Sequence, residues 1–206
     1  MTMPSGKLIV FEGLDGAGKS VQIERLASTL VKRGLDIHVT AEPSSGSLGQ
    51  EIRRRLRQTS PCDEATLALL FAADRMDHVN AEITPALDSR KIVLCDRYVM
   101  SSLAYQSAML PMEWVRSINQ YAVPPDLTIM LEISVEEAIA RRQNRAQPIE
   151  LLEHQLRQEM VFVHYQSLLA NHDGPLARID SSGSFDQVEK NIQQAVFHHF
   201  PELQSE

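Results

Sequence analysis

The apolar run Leu8-Ile9-Val10-Phe11 leads within two residues into Gly13-Leu14-Asp15-Gly16-Ala17-Gly18-Lys19-Ser20, and an amphipathic stretch, Val21–Lys32, follows. A strand, a glycine-rich turn and a helix, with Gly-Lys-Ser closing the turn, are the context in which this spacing cradles phosphate. The residue types follow from the chemistry. Glycines let the backbone curl so that its N–H groups face phosphate oxygens. Lys19 supplies a point charge for the β- and γ-phosphates, Ser20 a hydroxyl for Mg²⁺, and the helix aims its positive end at the same anion. Gly13, Asp15, Gly16, Ala17, Gly18, Lys19 and Ser20 are therefore the expected nucleotide-phosphate cradle.

The rest of the chain repeats the alternation. Strand-like Ile37–Thr40, Ile92–Cys95, Leu127–Ile133 and, more weakly, Leu176–Ile179 are separated by helix-length stretches Leu48–Gln58, Glu64–Leu87, Glu113–Tyr121, Val135–Asn144 and Glu150–Ala170, with Phe185–His199 last. Strands alternating with helical patterns imply crossover units and a parallel sheet covered on both faces, an α/β architecture of α/β/α layers. No repeat, linker or shift in composition divides the 206 residues, so a single domain over 1–206 is expected. Ligands in such sheets sit beyond the carboxyl ends of the strands. The residues to watch follow Phe11, Thr40, Cys95, Ile133 and Ile179.

Composition narrows the partners. Twenty Lys and Arg against twenty-seven Asp and Glu leave a net charge of −7, so a broad nucleic-acid surface is not expected. The arginine cluster Arg53-Arg54-Arg55 with Arg57 is spread around one helix, so only Arg53 is expected to face a cleft. No run approaches the ~18 apolar residues of a membrane span. Cys62 and Cys95 form no Cys-x-x-Cys pair and suit a reducing compartment, and the opening residues lack the pattern of a secretory signal. A cytoplasmic location is the expectation. His198 and His199 are adjacent and cannot share a helix face, so zinc is not assigned.

Further segments bear on what accepts the phosphoryl group. Ala41-Glu42-Pro43-Ser44-Ser45-Gly46 follows the second strand, and Asp96-Arg97-Tyr98 then Ser101-Ser102-Leu103-Ala104-Tyr105-Gln106 follow the third. Phe71 and Arg75, four apart, share one face of the intervening helix, a plausible stacking plane beside a guanidinium for a base. Taken in order, Phe-Glu-Gly-x-Asp-Gly-Ala-Gly-Lys-Ser, Glu-Pro-x-x-Gly, Asp-Arg-Tyr and Ser-Ser-x-Ala-Tyr-Gln resemble the thymidylate kinases, from Lys7 to about Ile192. The resemblance implies a five-stranded parallel core of the adenylate-kinase kind, transfer from ATP to dTMP with Mg²⁺, and a homodimer.

The resemblance also implies roles. Asp15 is the carboxylate at the acceptor 3′-hydroxyl, and Arg97 bridges the acceptor phosphate and the transferred group. Asp96 helps Ser20 hold Mg²⁺. Phe71 stacks on thymine, Arg75 hydrogen-bonds to it, and Ser102 and Gln106 supply polar contacts. Tyr105 lies under the sugar and disfavours a 2′-hydroxyl, and Arg53 contacts the acceptor phosphate. Ser182, in Asp180-Ser181-Ser182-Gly183, belongs to a loop that cups adenine. Arg141, Arg142 and Arg145 stand before a Pro-containing break and match a basic lid over about 141–150, although cations at a helix C-terminus also complement its dipole.

Departures from the pattern are equally plain. Gly16 stands where some thymidylate kinases carry a loop arginine, and Ala41 where many bacterial ones carry an arginine before Glu-Pro. Three alternatives stay open at this level: a same-fold kinase for another acceptor such as dUMP or a deoxynucleoside, a non-catalytic nucleotide-binding paralogue, and an ATPase that moves other molecules.

Overall fold

The computed structural model describes residues 6–57, 62–143 and 151–204, with the side chains of 142–143 and 151–155 outside the description. Its first element, β1 (Lys7–Glu12), is buried from Leu8 onward, and its alternate residues feed two different cores. Ile9 and Phe11 pack on one face of the sheet, Leu8 and Val10 on the other. A strand apolar at every position suits a place between two helical layers.

After β1 come α1 (Lys19–Lys32), β2 (Ile37–Ala41), α2 (Ser47–Leu56) and α3 (Glu64–His78). A π-helical turn, Val79–Ile83, joins α3 to α4 (Thr84–Asp88). β3 (Ile92–Asp96), α5 (Val99–Gln106), α6 (Met112–Ile118), β4 (Leu127–Glu132) and α7 (Val135–Gln143) follow. α8 (Leu151–Ala170), β5 (Leu176–Asp180), α9 (Phe185–His199) and a 3₁₀ turn at Pro201–Leu203 complete the described chain. The five strands form one parallel sheet in the order β2-β3-β1-β4-β5.

One core packs Leu26 and Leu30 of α1, Leu103 of α5, Val161 and Tyr165 of α8 and Ile192 of α9 against the sheet. The other brings Val79, Ile83 and Ala86 onto Leu8, Val10, Val93 and Cys95. This is the expected α/β/α layering around five parallel strands.

Two elements differ from the sequence expectation. Glu64–Leu87, read as one helix, is helical throughout but interrupted by the π turn. Pro85 has no N–H to donate, and its ring would meet the carbonyl four residues back, so the ladder widens just before it. α5, in contrast, was not anticipated. It is eight residues long, and its N-cap Tyr98 gives it no side-chain cap. Its start is fixed by Glu12, a residue far away in sequence.

Candidate active site

β1 lies between β3 and β4, and the register aligns Phe11 with Asp96. The turn leaving β1 and the turn leaving β3 therefore emerge side by side. The first curls through left-handed glycines, Gly13 at φ 141° and Gly16 at φ 98°. A Cβ on Gly13 would lie 2.5 Å from the Leu131 carbonyl oxygen, and one on Gly16 would strike the Ala138 carbonyl of α7. No side chain fits at Gly16, which accounts for the missing loop arginine by packing.

Lys19 folds back into this turn, its Nζ donating to the carbonyls of Gly13 (3.0 Å) and Leu14 (3.1 Å). Burial, aided by the neighbouring Arg97 charge, lowers its pKa from 10.5 to about 8. An incoming polyphosphate would reverse that penalty. One residue on, Ser20 Oγ donates to Asp96 Oδ2 at 2.7 Å. Asp96 Oδ1 is buried with no hydrogen-bond partner among the described residues. Among those residues no three His, Cys, Asp or Glu are grouped as a metal cage. A hydroxyl beside an unsatisfied carboxylate oxygen nevertheless fits Mg²⁺, which keeps waters and phosphate oxygens and takes only one or two protein ligands.

Arg97 opens the turn after β3 at φ 70°, a left-handed conformation uncommon for a residue with a side chain. Its N–H donates to Phe11 O at 2.9 Å. The guanidinium reaches Asp15 Oδ1 (2.6 Å), Ser101 Oγ (2.9 Å) and the Tyr105 hydroxyl (3.2 Å). Burial opposes its charge, but Tyr105, Asp15, Tyr165 and Glu12 more than offset that and hold its pKa well above the ordinary value. Burial also raises the Tyr105 pKa, while Arg97 pulls it down.

Two cavities meet at this arginine. One, of about 240 Å³, is lined by the phosphate loop, Lys19, Ser20 and Asp96. The other, of about 440 Å³, is lined by Phe71, Arg75, Ser102, Tyr105 and Gln106, among others. Asp15, Glu42 and Arg97 line both. The structure thus brings Asp15, Phe71, Arg75, Arg97, Ser102, Tyr105 and Gln106 to a single chamber.

Arg75 is 2 % exposed and closely held. Its Nε donates to Glu42 Oε2 at 2.8 Å, Nη2 to Ser102 Oγ at 3.0 Å, and Nη1 to Asn119. Nη2 also lies 2.6 Å from Glu42 Oε2, and His78 Nδ1 stands 3.3 Å from Oε1. A buried guanidinium with a carboxylate and further acceptors has its charge compensated and its plane fixed.

Other expected residues lie elsewhere. Arg53 lines neither cavity and donates to the carbonyls of Ser44 (2.6 Å) and Pro43, bracing the loop that carries Glu42. Ser182 is exposed, its N–H bound to Asp180 Oδ1 at 2.9 Å. Arg141 donates to the carbonyls of Ser181 (2.9 Å) and Ser182 (3.1 Å), tying α7 to the loop after β5. The Arg142 side chain and all of Arg145 lie outside the described residues, as does most of the expected 141–150 lid.

Sequence reasoning gave no role to Glu12, Glu42, Ser101, Asn119, Tyr165 or Gln158, the last of which lines the second cavity from α8. Glu12 and Glu42 had a usable signal, since a carboxylate at a buried strand exit needs a partner. Asn119, Tyr165 and Gln158 lie in helices or turns far from any motif and carried none.

A phosphate loop on the central strand, facing a second cavity across a shared arginine on a five-stranded parallel sheet, has the fold of the phosphate-loop nucleoside monophosphate kinases. The chain belongs to the thymidylate kinase family, whose model matches residues 11–192. It is 38% identical over 202 residues to a probable thymidylate kinase of Pyrococcus abyssi, covering 94% of this chain and 97% of the relative. It is 39% identical to a thymidylate kinase of Desulfotalea psychrophila, covering 93% and 95%. A thymidylate kinase of Trichormus variabilis is 36% identical, covering 96% and 98%.

Proposed function

We propose that this protein transfers the γ-phosphoryl group of ATP to dTMP, yielding ADP and dTDP. The observation that carries the reading is Arg97, which lines both cavities while bound to Asp15, Ser101 and Tyr105. A cation at the junction of donor and acceptor can stabilise the charge on the phosphoryl oxygens as they pass between them. The acceptor is a phosphate monoester, already an anion at neutral pH, so no general base is required. Direct in-line transfer then depends on alignment.

That arrangement supports the roles of the residues lining the two cavities, and the family resemblance supports the others. Lys19 and the loop N–H groups hold the polyphosphate, and Mg²⁺, held through Ser20 and Asp96, supplies charge neutralisation there. Asp15 accepts from the sugar 3′-hydroxyl, and Tyr105 leaves no room for a 2′-hydroxyl. Phe71 stacks on the base. Four of the five Arg75 N–H groups face Glu42, Ser102 and Asn119, and the fifth, on Nη1, donates to a base carbonyl oxygen. A cytosine amino group there would set donor against donor. Gln106 lends a polar wall, and Arg53 acts on the acceptor phosphate through the Ser44 loop. Ser182 cups adenine, and Arg141, Arg142 and Arg145 serve as a short lid over about 141–150. The family resemblance supports a homodimer, and two free cysteines support the cytoplasm.

The test is ADP production from Mg-ATP with dTMP, dUMP, dCMP, dGMP, UMP and thymidine side by side. Turnover with dTMP far above the rest is expected. Faster turnover with another acceptor would overturn the base-pocket assignment, and no acceptor-stimulated turnover would favour a non-catalytic paralogue.

A further inference from the structure

Four donors converge on Glu12, a fully buried carboxylate that lines neither cavity. Oε1 accepts the N–H groups of Tyr98 (2.9 Å) and Ser101 (3.0 Å). Oε2 accepts the hydroxyls of Ser101 (2.5 Å) and Tyr165 (3.0 Å). A carboxylate offers about four lone-pair sites, so its capacity is filled. Burial raises the Glu12 pKa, and the Ser101 hydrogen bonds and the Arg97 charge offset that only in part. A buried carboxylate is costly wherever an apolar residue could serve.

This carboxylate has two consequences for the site. The first concerns α5, which has no side-chain cap of its own. Glu12 takes two of its leading N–H groups and so fixes the helix bearing Ser102, Tyr105 and Gln106 to the strand bearing the phosphate loop. The second concerns proton direction. A serine hydroxyl has one proton, and Ser101 gives it to Glu12. The oxygen is then left as an acceptor, facing Arg97 Nη1 at 2.9 Å, with the Tyr165 hydroxyl 3.0 Å from it. Tyr165, fully buried on α8, completes the set and brings a second helix to the same carboxylate.

We propose that Glu12 and Tyr165 are positioning residues for phosphoryl transfer, acting through Ser101 to hold Arg97 at the junction of the two cavities. The inference rests on the bridging role given to Arg97 above. Neither residue reaches the ligands, so their removal moves the transition state more than ground-state binding.

Steady-state kinetics with Mg-ATP and dTMP on Tyr165→Phe, Ser101→Ala and the double variant test it, with thermal unfolding run on each. Tyr165→Phe keeps the ring and its packing and deletes one donor. It is expected to lower kcat about tenfold, the value of one hydrogen bond to a charged group. KM for ATP should stay within about twofold. The double variant should lose less than the product of the single losses, because both act through the same carboxylate and arginine. Glu12→Gln, which sets an amide donor against existing donors, should lose more than Tyr165→Phe. Wild-type kcat in Tyr165→Phe, a kcat loss matched by a rise in KM for ATP, or multiplicative losses would each overturn the positioning role. If the wild-type enzyme transfers to dTMP and Tyr165→Phe is indifferent, only this inference falls. A wild-type protein inactive on dTMP overturns the functional reading, and this inference with it.

Discussion

Replacing Lys19 with Met should make the protein more stable while abolishing transfer. The ammonium is 7 % exposed and neighbours Arg97, which together lower its pKa from 10.5 to about 8. At about 1.4 kcal/mol per pKa unit, that gap destabilises the native state by about 3 kcal/mol at neutral pH. The Gly13 and Leu14 carbonyls lose a donor in the variant, at about 1 kcal/mol each, so the net gain at pH 7 is about 1–2 kcal/mol. The pH dependence is the sharper signature. Between pH 8 and 10.5 the unfolded lysine keeps its proton and the native one does not, so the unfolded state binds more protons and wild-type stability rises with pH. By pH 9.5 about 2 kcal/mol of the penalty is gone. Urea unfolding of both proteins at pH 7 and 9.5 measures this. The advantage of the variant should shrink by about that amount, and a gap that stays constant across the range would refute the argument.

Three further outcomes follow from the same geometry. ATP affinity should fall above pH 8, by up to about tenfold per pH unit, as Lys19 loses its proton; calorimetric titration at pH 7, 8 and 9 checks it, and a flat profile would remove Lys19 from the phosphate site. Glu42→Gln breaks a buried pair with Arg75, so unfolding free energy should drop by about 3 kcal/mol; KM for dTMP should rise more than KM for ATP, and equal rises would count against Arg75 as the base contact. Gly16→Arg restores the loop arginine seen in other thymidylate kinases but places a Cβ against Ala138 at a left-handed φ. It should cost about 1–3 kcal/mol, and a variant as stable as wild type in denaturant would show that α7 yields at this contact.

Five strands and the phosphate loop were legible because they are written locally. The central strands are buried and apolar through their middles, as at Leu8–Phe11, the edge strands β2 and β5 are shorter in that pattern but bounded by helix-length stretches, and the loop needs glycines at fixed offsets. The face shared by Phe71 and Arg75 was legible for a similar reason, since helical spacing alone sets it. α5 was not, because what starts it is Glu12, brought to Tyr98 and Ser101 by the pairing of β1 with β3 rather than by neighbouring residues. The same holds for Asn119 on Arg75 and Tyr165 on Glu12, contacts made across the fold. Arg53 shows the converse. Its helix position was read as facing the cleft, yet the guanidinium finds the nearer carbonyls of Pro43 and Ser44.

The pairing of β1 with β3 also has a mechanical side. Arg97 is stitched to Phe11 by its own backbone N–H, one step beyond the last rung at Asp96. The phosphate loop and Arg97 are thus mounted on adjacent rails, spaced about 4.8 Å apart by the sheet. Such a joint is stiff, because sliding one rail breaks several backbone hydrogen bonds at once. Of the chamber walls, α5 is tied to β1 through the Glu12 carboxylate, whereas α3 and α8, which bring Phe71 and Gln158 to the chamber, share no backbone rung with the sheet among the described residues. Drift in acceptor preference can therefore accumulate on those walls while the spacing that governs transfer stays as it is.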